Sequence, residues 1–367
     1  MTIVFQKLII FVPKIDKNSM KIVVDEKIPY ICEALTEMGH SVVAKAGSSI
    51  CPDDVREAGA LFVRTRTACN ADLLEGSSVR FVGTATIGYD HIDNDYCRSR
   101  GICWCSAPAC NAGGVLQYVQ SSIYAWLGSR PLRGLTLGVV GVGAIGSRVA
   151  AWAAAQGMRV LLNDPPREAS GEEGFVSLET VARESDIVTF HPTLTRGGEY
   201  PSFHLGNDRF FASLQRMPLV INASRGAVVD NAAILDAFRQ KKIAGIVLDV
   251  WEGEPLIDRE LLDAAFIATP HIAGYSAEGK YNATEIVLRK FAEYTDYKGA
   301  LPIAPLAAPA DPVVVADCEA AALLGIYNPL NDTAGLKRAP HLFEELRNNY
   351  NFRREPSAYE IRLECCP

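Results

Sequence analysis

The chain has 367 residues, of which 49% are hydrophobic and 22% charged, a balance that is typical of a folded globular protein and excludes a disordered one. At about 100 to 200 residues per domain, this length predicts two or three domains. The formal net charge of −7 argues against a broad nucleic-acid-binding surface, and no apolar run approaches the roughly 18 residues that would cross a bilayer. We therefore expect no nucleic-acid partner and no membrane association.

The ten cysteines are not spaced as metal ligands, because none of them stands in a C-x-x-C pair, and we predict no metal site. In a chain of this length without a secretion signal, cysteines are expected to stay reduced, which favours a cytoplasmic location. Residues 1–19 precede the first strand-like segment. We expect them to be an N-terminal extension outside the fold.

Two series of short apolar runs alternate with helical stretches, and this pattern predicts α/β architecture with parallel sheets. Continuous apolar character suits strands that are buried on both faces. A helical segment that begins at Asn111 separates the two series, and a helix over 277–294 follows the second. The predicted strands are 22–24, 41–44, 60–63, 80–83 and 102–105, then 135–140, 159–162, 187–190, 219–223, 243–248 and 267–269.

A glycine-rich turn follows the first strand of the second series. Gly141, Gly143 and Gly146 form a G-x-G-x-x-G motif, in which Ala144 and Ile145 begin a helix. The first glycine permits a tight turn, the second lets the backbone approach a pyrophosphate, and the third allows close packing of helix on strand. The same motif can be a glycine-rich turn without a ligand, but its strand–turn–helix context favours nucleotide binding.

Asp164 ends the next strand of this series. A carboxylate at that point accepts hydrogen bonds from the adenosine ribose hydroxyls and repels a 2′-phosphate. We therefore predict NAD as the cofactor in preference to NADP, although the positive charge of Arg167 nearby favours NADP.

Arg225, Glu254 and His271 each follow a predicted strand of the second series. Ligands of open α/β sheets bind at the carboxyl ends of the strands, so these residues can converge on one site. Histidine is suited to take the proton of a hydroxyl group while hydride leaves the carbon, and a carboxylate can orient it. Arginine can hold a substrate carboxylate with two hydrogen bonds. Each residue alone could equally be a satisfied loop or surface residue.

An anion-binding pattern follows two strands of the first series. Arg64 and Arg66 flank Thr65, and the loop 84–88 can present backbone N–H groups to an anion. These arginines could instead be ordinary solvated surface residues.

Several segments resemble the D-isomer-specific 2-hydroxyacid dehydrogenases, and the resemblance runs from Met20 to about Tyr294. Those that carry it are 140–146, 222–230, 248–255 and 269–274. Segments 81–93, 106–112 and 164–167, and more faintly 346–355, are similar to the branch of this family that oxidises 4-phospho-D-erythronate in pyridoxal 5′-phosphate biosynthesis.

The resemblance implies a doubly wound Rossmann domain for NAD over 111–274 and a flavodoxin-like substrate-binding domain over 20–110 and 275–298. It implies Arg225, Glu254 and His271 as the catalytic residues, with His271 as the proton acceptor or donor. It places Asp164 at the adenosine ribose and Asp249 near the nicotinamide carboxamide. Thr65, Thr86 and Tyr275 match positions that contact substrate, and we add Arg64. The cofactor-binding set is Gly141, Gly143, Ala144, Ile145, Gly146, Asp164, Ser224, Arg225, Gly226, Asp249 and Gly274.

The C-terminal part begins with a proline-rich segment over 299–313, which predicts an extended linker. Residues 314–367 are expected to form a small α+β domain, too short for a robust core of its own. Its apolar side chains could pack against their own chain, or against a twofold mate in a homodimer, as the resemblance implies. Arg353 or Arg354 could then reach a substrate phosphate across the interface.

Three functions remain in competition. The first is the oxidation of the small phosphorylated 2-hydroxy acid 4-phospho-D-erythronate. The second is another D-2-hydroxyacid dehydrogenase activity, such as one on phosphoglycerate, and the third is a non-enzymatic NAD-sensing protein with the same fold. The segment 84–93 and the C-terminal domain favour the first.

Overall fold

The computed structural model describes residues 19–364. The predicted extension over residues 1–19 therefore lies, apart from Ser19, outside the described residues. The chain forms two compact units, the first from the described residues up to Cys110 together with Lys280–Pro305, and the second from Asn111–Gly279 together with the residues from Leu306 onward.

Thirteen strands and fifteen α-helices make up the described part of the chain. The strands are β1 Lys21–Asp25, β2 Ser41–Lys45, β3 Ala60–Val63, β4 Phe81–Thr84, β5 Cys103–Cys105, β6 Thr136–Val140, β7 Arg159–Asn163, β8 Ile187–Phe190, β9 Leu219–Asn222, β10 Gly245–Leu248, β11 Ile267–Ala268, β12 Val313–Ala316 and β13 Glu360–Leu363. The helices are α1 Ile31–Glu37, α2 Pro52–Val55, α3 Ala71–Leu74, α4 Asn94–Ser99, α5 Ala112–Leu127, α6 Ala144–Ala155, α7 Pro165–Ala169, α8 Leu178–Glu184, α9 Asp208–Ala212, α10 Asn231–Arg239, α11 Arg259–Ala264, α12 Ala277–Thr295, α13 Glu319–Ile326, α14 Pro329–Arg338 and α15 Phe343–Asn348.

The first unit contains a parallel five-stranded sheet in the order β2-β1-β3-β4-β5. This is the flavodoxin-like order that was predicted. Helices cover both faces, so β3 and β4 are buried along their whole length. On one face, Phe62 and Phe81 pack edge-on against Phe291 of α12.

The second unit contains a parallel six-stranded sheet in the order β11-β10-β9-β8-β6-β7. The chain enters at β6, moves outward to β7 and then returns to β8 on the other side. This reversal creates the switch point at which doubly wound sheets bind nucleotides. The two apolar clusters of the unit pack against this sheet. The predicted α/β fold class is therefore confirmed for both units.

The C-terminal residues add a two-stranded parallel sheet, β12 with β13, and the helices α13 to α15. Leu323 and Tyr327 are buried in the same cluster as α5, while Leu336 and Phe343 are buried with residues of β9 to β11. For Leu323, Tyr327 and Phe343 the structure therefore shows the first of the two alternatives, packing against their own chain. No helix among residues 19–364 has the length and apolar character needed to cross a membrane.

Candidate active site and cofactor loop

The glycine-rich turn lies between the central strand β6 and helix α6. Gly141 has a φ of +84°, and a Cβ atom there would lie 2.4 Å from the backbone nitrogen of Pro192, so a larger residue does not fit. A Cβ atom at Gly146 would lie 2.1 Å from the Gly141 carbonyl oxygen. At Gly143, which caps α6, a Cβ atom would meet no atom within 4 Å. The turn therefore fits a pyrophosphate, which needs open access to N–H groups at a helix N-terminus.

Asp164 follows β7 and caps the short helix α7. Its Oδ2 accepts a hydrogen bond of 2.8 Å from the Val142 N–H, and its Oδ1 accepts one of 3.2 Å from the Arg167 N–H. The Arg167 guanidinium donates to the Glu172 carboxylate and to the Val142 carbonyl oxygen. Because Arg167 forms an ion pair with Glu172, the positive charge of Arg167 does not offset the repulsion between Asp164 and a 2′-phosphate.

The turn after β9 carries Arg225 and is shaped by Asn222. The Asn222 side chain accepts hydrogen bonds from the Ser224 N–H and hydroxyl, at 3.1 and 2.8 Å, and donates one of 3.0 Å to the Arg225 carbonyl oxygen. A Cβ atom at Gly226 would lie 2.1 Å from the Trp251 carbonyl oxygen, so the turn packs directly on the neighbouring loop. These contacts set Arg225 at the carboxyl edge of the sheet.

His271 and Glu254 form a hydrogen-bonded pair beside that turn. His271 Nδ1 lies 2.8 Å from Glu254 Oε2, and Glu254 Oε1 accepts a hydrogen bond of 2.9 Å from the Trp251 N–H. The His271 backbone has a φ of +59°, and its N–H donates to the Asp249 carbonyl oxygen at 2.8 Å. The backbone of β10 and the loop after it therefore hold both members of the pair.

The ionisation of Glu254 decides which nitrogen of His271 is available. Burial opposes the charged carboxylate, but the hydrogen bond and charge of His271, the Trp251 N–H and the charge of Arg347 outweigh it and lower the pKa of Glu254. An ionised carboxylate only accepts hydrogen bonds, so Nδ1 of His271 carries a proton. In the neutral imidazole, Nε2 then bears the lone pair, and among residues 19–364 no hydrogen-bond partner occupies it.

Asp249 lies beneath the His271 loop and is almost fully buried. Its Oδ1 accepts hydrogen bonds of 2.7 Å from the Thr269 hydroxyl and the Ile272 N–H, and its Oδ2 accepts one of 3.0 Å from the Ala273 N–H. The Thr269 hydroxyl also meets the Tyr118 hydroxyl at 2.9 Å. Burial raises the pKa of Asp249 although these donors oppose it. The structure thus uses this carboxylate to shape the loop, a role that the sequence analysis did not predict.

Gly274 and Tyr275 continue the same loop. A Cβ atom at Gly274 would lie 2.1 Å from the Asn111 amide nitrogen, so the loop packs closely on the start of α5. The Tyr275 ring meets the rings of Tyr350 and Phe352 edge-on, with centroids 6.2 and 6.1 Å away. Its hydroxyl accepts a hydrogen bond of 3.3 Å from Nε of Arg347, a residue of the segment 346–355 to which the sequence analysis assigned no role.

The remaining predicted residues, Arg64, Thr65 and Thr86, lie in the first unit after the strands β3 and β4. Arg64 Nε donates to Oδ2 of the buried Asp25 at 3.0 Å, and its Nη2 lies 3.4 Å from Oδ1. Thr86 shares a hydrogen bond of 2.7 Å with the Thr84 hydroxyl and donates one of 2.8 Å to the Gly88 carbonyl oxygen. Thr65 is exposed at the strand end.

Arg353 is not available to a substrate, which corrects the expectation that it could reach a phosphate across an interface. It is buried, donates to the Gln117 side chain at 2.9 Å and donates to the carbonyl oxygens of Gly114, Ile272, Ala273 and Tyr275. Its neighbour Arg354 donates to Glu278 at 2.6 Å and to the Ala307 carbonyl oxygen. Both guanidinium groups are therefore occupied within their own chain.

Comparison with known proteins identifies the family. The model of the D-isomer specific 2-hydroxyacid dehydrogenase, NAD binding domain, matches residues 113–273. Erythronate-4-phosphate dehydrogenase of Bacteroides thetaiotaomicron is 49% identical over 345 residues, which cover 93% of this chain and 99% of that protein. The chain belongs to the D-isomer-specific 2-hydroxyacid dehydrogenase family. The dehydrogenase of the same name from Cronobacter sakazakii is 40% identical over 94% of each chain.

Solved structures that are similar to this chain share the fold. D-lactate dehydrogenase from Aquifex aeolicus, solved with NAD and lactic acid, has a TM-score of 0.60 and 26% identity over 78% of this chain and all of that one. The TT0316 protein from Thermus thermophilus has a TM-score of 0.64 and 26% identity over 77% of this chain. As a member of the family, the protein is an NAD-dependent oxidoreductase that acts on a CH–OH group. No cluster of three or more potential ligands for a metal ion occurs within residues 19–364.

Proposed function

We propose that the protein catalyses the NAD-dependent oxidation of 4-phospho-D-erythronate to (R)-3-hydroxy-2-oxo-4-phosphooxybutanoate in pyridoxal 5′-phosphate biosynthesis. The observation that carries the chemistry is the 2.8 Å contact between His271 and Glu254, which leaves Nε2 of the imidazole as a base. The names of the two relatives, which match more than nine-tenths of this chain, support the substrate.

Three residues carry out separate parts of the proposed reaction. NAD, when bound, supplies the hydride acceptor for the C2 carbon of the substrate. His271 Nε2 takes the proton of the 2-hydroxyl group, and Glu254 stabilises the imidazolium that results. Arg225 holds the substrate carboxylate with two charge-assisted hydrogen bonds.

The cofactor is proposed to contact the glycine-rich turn and the loops at the carboxyl ends of β7, β9, β10 and β11. The open space at Gly143 and the hydrogen bonds that orient Asp164 support the phosphate and ribose positions. The proposed contacts are Gly141, Gly143, Ala144, Ile145, Gly146, Asp164, Ser224, Arg225, Gly226, Asp249 and Gly274.

Arg64, Thr65, Thr86 and Tyr275 are proposed to contact the substrate. In Arg64, Nε and Nη2 face Asp25, so Nη1 is the nitrogen left to donate to an anion. The exposed hydroxyl of Thr65 follows on the same strand end. These two neighbouring side chains support an anion contact in the first unit.

A screen of 2-hydroxy acids with NAD tests the proposal. Substrates are 4-phospho-D-erythronate, 3-phospho-D-glycerate, D-erythronate and D-lactate, and both NADH and the 2-oxo acid are measured, so turnover is detected whether or not NADH leaves the protein. We expect the highest kcat/KM for the first. Preference for phosphoglycerate would support the alternative dehydrogenase, and no turnover of any compound would support an NAD-sensing protein.

The proposal extends to assembly and location. We propose a cytoplasmic homodimer, with 20–110 and 275–298 as the substrate-binding domain, 111–274 as the NAD-binding domain, 299–313 as the linker and 314–367 as the dimerisation domain. The exposed apolar side chains of Val313, Val315 and Leu363 on β12 and β13 support a contact with a second copy. Light scattering of the wild type and of Val315→Lys tests it, and a monomeric wild type would refute it.

A further inference from the structure

Arg347 lies on α15, in the C-terminal part of the second unit. Phe343, one turn earlier, is fully buried in the same cluster as Trp251, and Leu346 packs against that cluster. These contacts fix the helix, so the Arg347 side chain is held against the fold, with only 16% of its surface exposed. Its position is therefore set by the packing of α15.

The Arg347 guanidinium faces the His271 pair. Its Nε donates to the Tyr275 hydroxyl at 3.3 Å, and its Nη1 lies 3.9 Å from Oε2 of Glu254, the oxygen that faces His271. A separation of 3.9 Å is too long for a hydrogen bond. Within residues 19–364, neither Nη1 nor Nη2 donates a hydrogen bond. Arg347 thus brings a cation with unused donors to the edge of the site.

The other arginines of this region are already engaged. Arg353 is surrounded by carbonyl oxygens of its own chain, and Arg354 is paired with Glu278. Glu254, which lies 3.9 Å from Arg347, is instead hydrogen-bonded to His271. An incoming anion can therefore satisfy the Nη groups of Arg347 without displacing an existing hydrogen bond.

We propose that Arg347 binds the phosphate group of the substrate and thereby determines specificity for a phosphorylated 2-hydroxy acid, a role that rests on the proposed function. A guanidinium presents paired N–H donors that match two phosphate oxygens, and the Tyr275 hydroxyl orients it.

The test compares two substrates that differ only in the phosphate. In Arg347→Gln, kcat/KM for 4-phospho-D-erythronate is expected to fall about 10- to 100-fold, the loss typical of a hydrogen bond to a charged group, chiefly through KM. The same variant should lose much less kcat/KM on D-erythronate, and Arg347→Lys should recover part of the loss on 4-phospho-D-erythronate. Arg338→Gln, an exposed arginine on α14, is the matched control and should match the wild type on both substrates. NADH binding, followed by fluorescence, verifies that each variant is folded.

Equal losses on both substrates would show that Arg347 only positions Glu254 and would overturn the proposal, as would no loss on either. A wild type that does not oxidise 4-phospho-D-erythronate would refute the proposed function. In that case the phosphate-binding role of Arg347 is tested by a second measurement, calorimetric titration of the NAD-loaded protein with inorganic phosphate. Binding that is weaker in Arg347→Gln than in Arg338→Gln supports the phosphate role. Equal binding to both variants overturns it.

Discussion

Replacement of Arg353 by Met should destabilise the protein far more than the same change at Arg354. The Arg353 side chain is buried, and its guanidinium donates to Gln117 and to the carbonyl oxygens of Gly114, Ile272, Ala273 and Tyr275. It also stacks over the Tyr327 ring at 4.1 Å. Methionine fills much of the volume but donates no hydrogen bond, so these acceptors lose their partner.

The magnitude follows from the number of acceptors that water cannot reach. A buried acceptor without a partner costs about 1–3 kcal/mol, so two such carbonyl groups lower the free energy of unfolding by about 2–6 kcal/mol. Arg354 is the matched control, because its ion pair with Glu278 is partly exposed. Such pairs contribute about 1 kcal/mol or less.

Urea unfolding followed by tryptophan fluorescence measures the difference, and hydrogen exchange of the backbone amides in 272–276 locates it. We expect an earlier midpoint and faster exchange in this loop for Arg353→Met, with Arg354→Met close to the wild type. Equal midpoints for the two variants would refute the assignment of Arg353 as the residue that holds the loop.

Three further predictions concern the reaction and its cofactor. His271→Ala should lower turnover by roughly 10²- to 10⁴-fold and leave NAD binding nearly intact, and near-normal turnover would rule out the proposed base. Glu254→Gln should reduce turnover less and shift the pH profile of kcat/KM. Because the pKa of Glu254 is lowered in the folded state, the stability that its charge contributes is fully present above the ordinary value of 4.5 and is lost as the pH falls through the lowered pKa. The difference in urea midpoint between wild type and Glu254→Gln should therefore shrink in acid, and a constant difference would contradict this. Asp164→Ala should narrow the preference for NAD over NADP, measured as a ratio of kcat/KM values, and a wild type that uses both equally would show that Asp164 does not select the cofactor.

Strands that are buried on both faces could be predicted well from the sequence. The predictions over 60–63 and 187–190 match β3 and β8 residue for residue, because an uninterrupted apolar run has few alternatives in a parallel sheet. The strand β12 was not predicted: its first residue, Val313, ends the predicted linker, and the other three fall in the predicted α+β domain. It alternates exposed and half-buried residues, and its partner β13 lies far along the chain, so no local pattern marks β12 or its pairing.

The candidate site, too, could be predicted only in part from the sequence. The spacing of residues after the strands predicted that Glu254 and His271 could meet, and the structure places them 2.8 Å apart. The sequence could not distinguish Arg353 from Arg354, because adjacent arginines differ only in the direction in which the backbone points them. One is enclosed by carbonyl oxygens and the other lies near the surface. Arg347 was missed because its relation to Tyr275 exists only after α15 has packed.

The backbone beside His271 lies between two opposite charges. The N–H groups of Ile272 and Ala273 face the Asp249 carboxylate, and the carbonyl oxygens of the same two residues face the Arg353 guanidinium. The peptide group between Ile272 and Ala273 thus has its N–H on the carboxylate and its C=O on the guanidinium, so its dipole is aligned between an anion and a cation and its rotation would break both hydrogen bonds. In directed evolution toward other hydroxy acids, this stretch should tolerate little change, and a graft of the C-terminal segment from a relative should succeed only when its arginine is retained.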